Sequence, residues 1–302
     1  MIPGFQDLAT GAFQSGLAQL DADPEWHDDR LNLEGPFRLS FPGAKGWGEE
    51  LLVASLLKRH ADASRAAVQV VASEQVCSIL KHDPAFLPQL GKSNKEGRSP
   101  LAILRHALMG KLLDERFVPL ASPGAKASYG IERRPRVGIA WASVPEDHPI
   151  SEKSVPVEKF LPVLTGIDAD LISLQRQLPV ADRNGLAKER GVRFLIGDEI
   201  LDAKTGSDAE KLVAEVRELD YLVTISTTTT HIAAAMGIRV ELIVAEREGQ
   251  QWFWQAQARH GKCFYPTVRV HLGDGRKHDW WKRSLQSLRA ALPSKKHELD
   301  GR

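Results

Sequence analysis

Cysteine is scarce in this sequence, because its 302 residues include only Cys77 and Cys263. Two cysteines so far apart exclude a disulfide framework and any zinc site built from several thiolates. The chain also lacks a run of 18 apolar residues, and no basic residue precedes Arg30. We therefore expect neither a transmembrane segment nor a secretory signal peptide, and we expect a cytoplasmic protein.

An excess of charge of one sign is also absent. The 40 Lys and Arg residues balance 39 Asp and Glu residues and leave a formal charge of +1. This balance excludes an overall basic field, so we expect no nucleic-acid partner. The hydrophobic share of 42% and the charged share of 26% are typical of a globular chain. At about 150 residues per domain, the length predicts two domains.

Strand-like and helix-like segments alternate along most of the chain, and that order is typical of parallel sheets. A stretch rich in Pro, Gly and charge at 121–136 separates two groups of such segments. We therefore predict a two-lobed α/β protein with its ligand site at the carboxyl ends of the strands, between the lobes. The opening helix at 5–20 is expected to be peripheral. The predicted units are a helical extension at 1–35, a first domain at 36–130, a second domain at 131–275, and a closing helix with tail at 276–302.

The most informative stretch runs from Leu219 to Gly237, where a buried strand is followed by four threonines and a helix rich in alanine. Free amides and hydroxyls at a helix N-terminus bind anions such as a diphosphate. The alternative is that Thr229 or Thr230 only caps the helix. His231 in the first turn is either a structural histidine or a donor to a phosphate or sugar oxygen.

Three landmarks in this order carry a resemblance to a known family: the Ser/Thr cluster followed by HIAAAMG, then QQWFWQ at 250–255, then CFYPTVRVH at 263–271. Upstream, VGIAWAS at 137–143, EKSVPVEKFLPVL at 152–164 and ADLISLQ at 169–175 fit the same family. Together they resemble the heptosyltransferase-like (GT9-like) glycosyltransferases, including the glycosyltransferase domains found behind tetratricopeptide repeats in bacterial proteins.

The resemblance implies a GT-B fold, with two Rossmann-like βα domains whose parallel sheets face a central cleft. It implies inverting, metal-independent transfer of a sugar from a nucleotide-diphosphate donor to a hydroxyl of a glycan, lipid-linked or protein acceptor, with no further cofactor. Carried over residue by residue, the donor-binding positions are Lys153, Gln175, Ser226, Thr227, Thr228, Thr229 and His231.

A shorter match concerns GWGEELLVASLL at 46–57, which resembles the Gly-rich loop after the family's first strand. The family has an acidic general base there, and the resemblance assigns that role to Glu49, with Glu50 as its rival. The alternative is that both carboxylates only complement the dipole of the helix that they begin. Trp47 is expected to narrow the acceptor entrance.

Two departures from the family pattern keep other functions open. The front loop has Glu in place of Asp, and the phosphate segment has Ser226-Thr227-Thr228-Thr229 in place of Asp-Thr or Ser-Asn-Thr-Thr. An inactive GT-B nucleotide-binding or scaffold module is therefore the alternative function, and a nucleotide-sugar epimerase is a third.

Several other patterns favour a structural interpretation. The two D-x-D triplets at 21–23 and 168–170 are expected to be solvated turns. The aromatic residues at 252–254 either stack on a ligand or are wedged into a domain interface, and we favour the interface. His148 and His271 lack partners at metal-ligand spacing, so no metal site is predicted.

Overall fold

The computed structural model describes residues 4–27, 36–41, 47–91, 98–114, 116–121, 133–143, 153–176, 184–188, 191–193, 198–246, 251–275 and 278–292. His148, the glycines at 43 and 46 of the front loop, most of the stretch at 121–136 and the tail from residue 293 lie outside these residues. None of the described helices is long and apolar enough to cross a membrane.

A small parallel sheet forms the N-terminal lobe. Its strands are paired in the order β1-β2-β3. The Ser73 side chain caps α4 by accepting a hydrogen bond from the Val76 N–H at 3.5 Å. The elements are β1 Phe37–Arg38, α3 Gly48–Ser64, β2 Val68–Ala72, α4 Glu74–Leu80, β3 Phe86–Leu90 and α5 Leu101–Met109.

A five-stranded parallel sheet forms the C-terminal lobe, in the order β5-β4-β6-β7-β8. The order reverses beside β4, and ligands of doubly wound sheets bind at the carboxyl ends of the strands flanking such a reversal. Its strands are β4 Arg136–Ala140, β5 Asp170–Ser173, β6 Tyr221–Ile225, β7 Arg239–Ala245 and β8 Val268–Gly273. Its helices are α6 Val157–Phe160, α7 at 184–188, α8 Asp198–Asp202, α9 Gly206–Arg217, α10 Thr228–Ala235, α11 Trp252–His260 and α12 Trp281–Ala291.

The predicted α/β class with two parallel sheets is confirmed, and so is the closing helix, which packs on β7 and β8 as α12. Most of the stretch predicted to separate the domains lies outside the described residues. The bounds of the four predicted units therefore stay predictions.

The segment predicted as the opening helix lies at the protein surface with one exposed face, but its apolar face is buried against the body of the protein. The segment forms two helices, α1 Phe5–Thr10 and α2 Phe13–Asp21, separated at Gly11, whose φ of 89° favours glycine. Leu8 and Leu20 are fully buried in the main hydrophobic core. The amphipathic pattern therefore predicts helical structure correctly, but it does not reveal that the rest of the protein covers the apolar face.

A buried polar network lies between the large sheet and α12. The Nε2 atom of His271 lies 2.8 Å from the Glu241 carboxylate, and its Nδ1 atom lies 2.8 Å from the Ser287 hydroxyl. The Nε–H of Arg239 donates to the same carboxylate at 3.0 Å. Burial by itself would raise the pKa of Glu241, but the hydrogen bonds and charges of His271 and Arg239 outweigh it and hold that pKa below its usual value.

We expect Glu241→Gln to lower the free energy of unfolding by about 1.5–3 kcal/mol at neutral pH, because charge-assisted hydrogen bonds in a buried site are lost. The Arg239 side chain is 48% exposed, so water reduces its share. The lowered pKa makes this stability present above the ordinary Glu pKa of about 4.3 and lost as the pH falls through the folded-state pKa. Urea unfolding at neutral and acidic pH measures it.

Asp168→Asn is the matched control, because its carboxylate pairs with Arg134 at 2.9 Å while being 64% exposed. We expect that substitution to change stability by less than about 0.5 kcal/mol. An equal loss of the free energy of unfolding in Glu241→Gln and Asp168→Asn would contradict the conclusion that burial makes the Glu241 hydrogen bonds important for stability.

Candidate functional site

The Ser/Thr cluster lies where β6 ends and α10 begins, beside the reversal of strand order. Thr227 precedes the helix, and its amide donates to the Thr230 hydroxyl at 3.1 Å. The hydroxyls of Thr227 and Thr229 lie 2.9 Å apart, and Thr230 also donates to the Ile225 carbonyl at 2.9 Å. Thr227, the residue that caps α10, and Thr230 therefore form a capping box, so capping by Thr230 is realised together with Thr227, and the half-buried Thr228 begins the helix.

Ser226 and His231 are held by aromatic residues of α11. The indole N–H of Trp254 donates to the Ser226 hydroxyl at 3.0 Å. The His231 ring is buried with its centroid 5.2 Å from that of Trp254 and 5.5 Å from that of Phe253. Its Nδ1 atom has no hydrogen-bond partner among the described residues. Burial, followed by the positive charge of Lys153, lowers the pKa of His231 to about 3, so the ring is neutral at physiological pH.

Trp252, Phe253 and Trp254 are all buried, as the interface interpretation predicted. Trp252 also packs edge-on against Phe264, at 5.6 Å between ring centroids. These rings therefore form part of the protein interior and present no open face for a ligand.

Glu49 belongs to the other lobe, in the first turn of α3, and interacts with Lys153 of the C-terminal half. Burial raises the pKa of Glu49, while its own backbone N–H and the charge of Lys153 oppose the rise. Burial lowers the pKa of Lys153, and the charge of Glu49 opposes that shift. The segment that carries Lys153 is attached to the end of β4, because Val155 N–H donates to the Trp141 carbonyl at 2.8 Å. The charges of this carboxylate and this ammonium group thus act on each other across the lobe boundary.

Glu50 has a different environment from its neighbour. Its carboxylate accepts hydrogen bonds from the Ser73 N–H at 3.0 Å and from the Ser73 hydroxyl at 2.8 Å. Burial raises its pKa, and the two bonds from Ser73 oppose the rise. Glu50 therefore joins α3 to the start of α4, whereas Glu49 is the carboxylate whose pKa responds to the charge of Lys153 in the other lobe.

Gln175 follows β5 and uses its amide to hold the neighbouring strand. Its carbonyl oxygen accepts from the N–H groups of Trp141 and Ala142, at 3.0 and 2.8 Å. Its amide nitrogen donates to the carbonyls of Ala142 and Arg176, at 2.9 and 3.2 Å. Both N–H groups of the Gln175 amide and both acceptor positions of its oxygen are therefore used within the protein. The predicted contact of Gln175 with the nucleotide sugar would require one of these hydrogen bonds to break.

Gly48 allows the two lobes to approach closely at the site. A Cβ atom on Gly48 would lie 2.8 Å from Cδ2 of His231, closer than non-bonded carbon atoms approach in proteins. Any larger residue would therefore separate α3 from α10. The glycines of this loop are visible in the sequence, but the contact of Gly48 with His231 is not.

Two further residues of this region were missed by sequence reasoning. Arg59 of α3 is buried and donates to the carbonyls of Phe264 and Cys263 at 2.8 and 3.2 Å, which links the two lobes. Tyr265 packs 6.0 Å from His231; burial is the main cause that raises its pKa, and the charge of Glu49 adds to it. A Lys58-Arg59 pair inside an otherwise apolar helix was the available signal for Arg59.

The remaining predicted features are structural or solvent-facing. Asp168 and Asp170 pair with Arg134, and Asp21 pairs with Arg105. Within the described residues, no group of three or more His, Cys, Asp or Glu side chains is arranged to hold a metal ion.

Comparisons with known proteins bear on this arrangement. No protein-family model matches the chain, and no curated protein matches it. Among solved structures, the chain is similar to the E. coli heptosyltransferase WaaC with ADP-2-deoxy-2-fluoro heptose, at 11% identity and a TM-score of 0.50, over 85% of this chain and 99% of that chain. The described chain has a heptosyltransferase-like GT-B fold.

Two other solved structures are similar to this GT-B chain. One is a family 9 glycosyl transferase from Veillonella parvula, at 11% identity and a TM-score of 0.49, over 78% of this chain and 85% of that chain. The other is the E. coli ADP-heptose LPS heptosyltransferase II, at 13% identity and a TM-score of 0.48, over 85% of this chain and 98% of that chain. The fold assignment rests on the WaaC comparison.

We expect Gly48→Ala to destabilise the GT-B chain by about 1–3 kcal/mol, because the added methyl group collides with the His231 ring. Gly185→Ala is the control, since Gly185 lies in α7 with nothing within 4 Å of its added Cβ. That change should stabilise by up to about 1 kcal/mol through helix propensity. Thermal and urea unfolding measure the stability of both variants. Equal stabilisation by the two substitutions would contradict the close approach of Gly48 to His231.

His231 makes folding sensitive to pH below the ordinary histidine value. Because its pKa falls to about 3 in the folded protein, the unfolded chain takes up one more proton as the pH drops below about 6.5. Between those two pH values, we expect His231 to lower the free energy of unfolding by about 1.4 kcal/mol for each unit by which the pH falls. His231→Gln should lose that part of the slope in urea unfolding. An unchanged slope, or NMR signals of a charged His231 ring at mildly acidic pH, would contradict the buried neutral ring.

Proposed function

We propose that the protein is a glycosyltransferase that moves a sugar from a nucleotide-diphosphate donor to an acceptor hydroxyl. The observation that carries the proposal is the close approach of Gly48 at the start of α3 to His231 in α10, beside Glu49, whose pKa responds to the charge of Lys153 in the other lobe. These groups supply a base, a cation and an anion-binding helix end at one boundary. The GT-B fold supports the proposal, because the similar WaaC structure contains an ADP-linked heptose analogue.

In the proposed reaction the acceptor oxygen attacks the anomeric carbon from the side opposite the leaving group, which inverts its configuration. Glu49 accepts the proton of the acceptor hydroxyl, and its raised pKa makes it a stronger base than an exposed carboxylate. The bond between the anomeric carbon and the diphosphate oxygen breaks, and its electron pair leaves with the nucleoside diphosphate.

The leaving diphosphate is proposed to lie against Lys153, Thr227 and Thr228. The Lys153 ammonium group and the amides at the start of α10 stabilise the negative charge that develops on it, and this charge stabilisation supports a metal-independent mechanism. The neutral His231 is proposed to donate a hydrogen bond from one ring N–H to an oxygen atom of the nucleotide sugar. Gln175 and Ser226 are proposed to act by holding the ends of the strands in position.

The acceptor is proposed to be a hydroxyl of a lipid-linked glycan, of a polysaccharide or of a protein. The partly buried Trp47 precedes Glu49 at the entrance of α3, where an acceptor approaches the base. Aromatic faces are common contacts for sugar rings, so Trp47 is the proposed acceptor contact.

We expect Glu49→Gln to lower the rate of nucleoside-diphosphate release by about 10²- to 10⁴-fold, with little change in donor affinity, because the amide cannot accept the proton. Release from ADP-, UDP-, GDP- and CDP-linked sugars, with and without glycan acceptors, measures both transfer and hydrolysis. Repeating the assay with a metal chelator tests the metal-independent mechanism.

Glu50→Gln is the matched control, since it changes the neighbouring carboxylate that is held by Ser73. We expect Glu50→Gln to lower stability by about 1–3 kcal/mol while it leaves the chemical step within a fewfold of wild type. An equal loss of turnover in both variants would contradict Glu49 as the base. Donor binding without release in wild type would favour an inactive nucleotide-binding or scaffold module.

A further inference from the structure

The two N-terminal helices contact both lobes. On the C-terminal lobe, the Phe5 ring of α1 packs 6.1 Å from the Trp252 ring of α11, and the Phe13 ring of α2 packs edge-on against His260 at 5.9 Å. On the N-terminal lobe, Asp21 accepts a hydrogen bond from Arg105 of α5 at 3.1 Å. Residues 4–27 therefore connect the N-terminal lobe to the C-terminal lobe, whose two sheets are separate.

The connection to the N-terminal lobe extends beyond α2. Arg38 of β1 donates to the Glu25 carbonyl at 2.7 Å, and the buried Trp26 ring packs 5.2 Å from Phe41. Trp26 also meets Phe5 edge-on at 5.8 Å. One aromatic cluster therefore joins β1 and the residues after it to α1, and through Phe5 to α11.

The same helix α11 reaches the candidate site. Trp252 faces the N-terminal helices, while Trp254, two residues further on, donates to Ser226 and packs against His231 at 5.2 Å. Because protein interiors are densely packed, a shift of α11 at Trp252 moves Trp254 with it. Contacts of this kind couple distant positions when one rigid element carries both.

We propose that residues 4–27 act as a strap between the two lobes and that Phe5, through Trp252, positions Trp254 against Ser226 and His231. Phe5 and Trp254 are positioning residues, because they act on the site through other side chains. The effect of the strap on nucleotide binding rests on the function proposed above, whereas its effect on the order of the site does not.

Hydrogen–deuterium exchange tests the strap without an activity assay. In Phe5→Ala we expect backbone amides at 226–232 and in α11 to exchange about two- to tenfold faster, the change expected from losing an aromatic pair. Phe5→Tyr keeps the ring and should restore the wild-type rate. Phe86→Ala, a buried site on β3, is the control, with Val76→Ala in its place where the first does not fold. A change confined to α1 and α2, or equal in the control, overturns the proposal.

Nucleotide titration tests the positioning step. We expect Phe5→Ala and Trp254→Phe to weaken the binding of ADP, UDP, GDP or CDP by about two- to tenfold, because Trp254→Phe keeps an aromatic ring and removes the N–H that holds Ser226. Equal affinity in Trp254→Phe and wild type overturns the positioning by the indole. Failure of wild type to bind any of the four contradicts the proposed function, while the exchange result still decides the strap.

Discussion

The close approach of α3 to α10 is the contact on which the rest of the site depends. With only a hydrogen atom at Gly48, the first turn of α3 lies directly against the His231 ring, and this brings Glu49 to the lobe boundary. Arg59 of the same helix holds two carbonyls of the C-terminal lobe. The position of Glu49 is therefore supported by packing along the whole of α3.

Burial and charge act in opposite directions at this boundary. Water exclusion disfavours the charged forms of both Glu49 and Lys153, while each charge stabilises the other. Removing either group would take away a charge that opposes the effect of burial on the other. In the reaction proposed above, the departing diphosphate would bring new negative charge to Lys153 just as Glu49 would become neutral by accepting a proton. The electrostatic balance can therefore be kept through the proposed reaction without bulk water.

The fold followed from the sequence more readily than the contacts of the predicted site residues. Alternating buried strands and helices predicted both parallel sheets, because that periodicity depends on local side-chain burial. Spacing alone left Glu49 and Glu50 as rivals, since adjacent residues share a helix turn but face different neighbours. Only the tertiary structure shows Ser73 beside Glu50. The burial of the N-terminal helices and the saturation of Gln175 likewise depend on elements distant in the chain, so local pattern did not reveal them.

The second lobe-to-lobe contact, between α4 and α9, limits how this architecture can be recombined. The Gly206 N–H donates to the Glu74 carboxylate and the Ser78 hydroxyl donates to the Gly206 carbonyl, both at 2.8 Å. A side chain at Gly206 would press on Ser78, since its Cβ atom would lie 3.0 Å away. The surfaces of α4 and α9 are thus complementary to each other. A chimaera that takes one lobe from another protein must therefore also take the helix surface that packs against it.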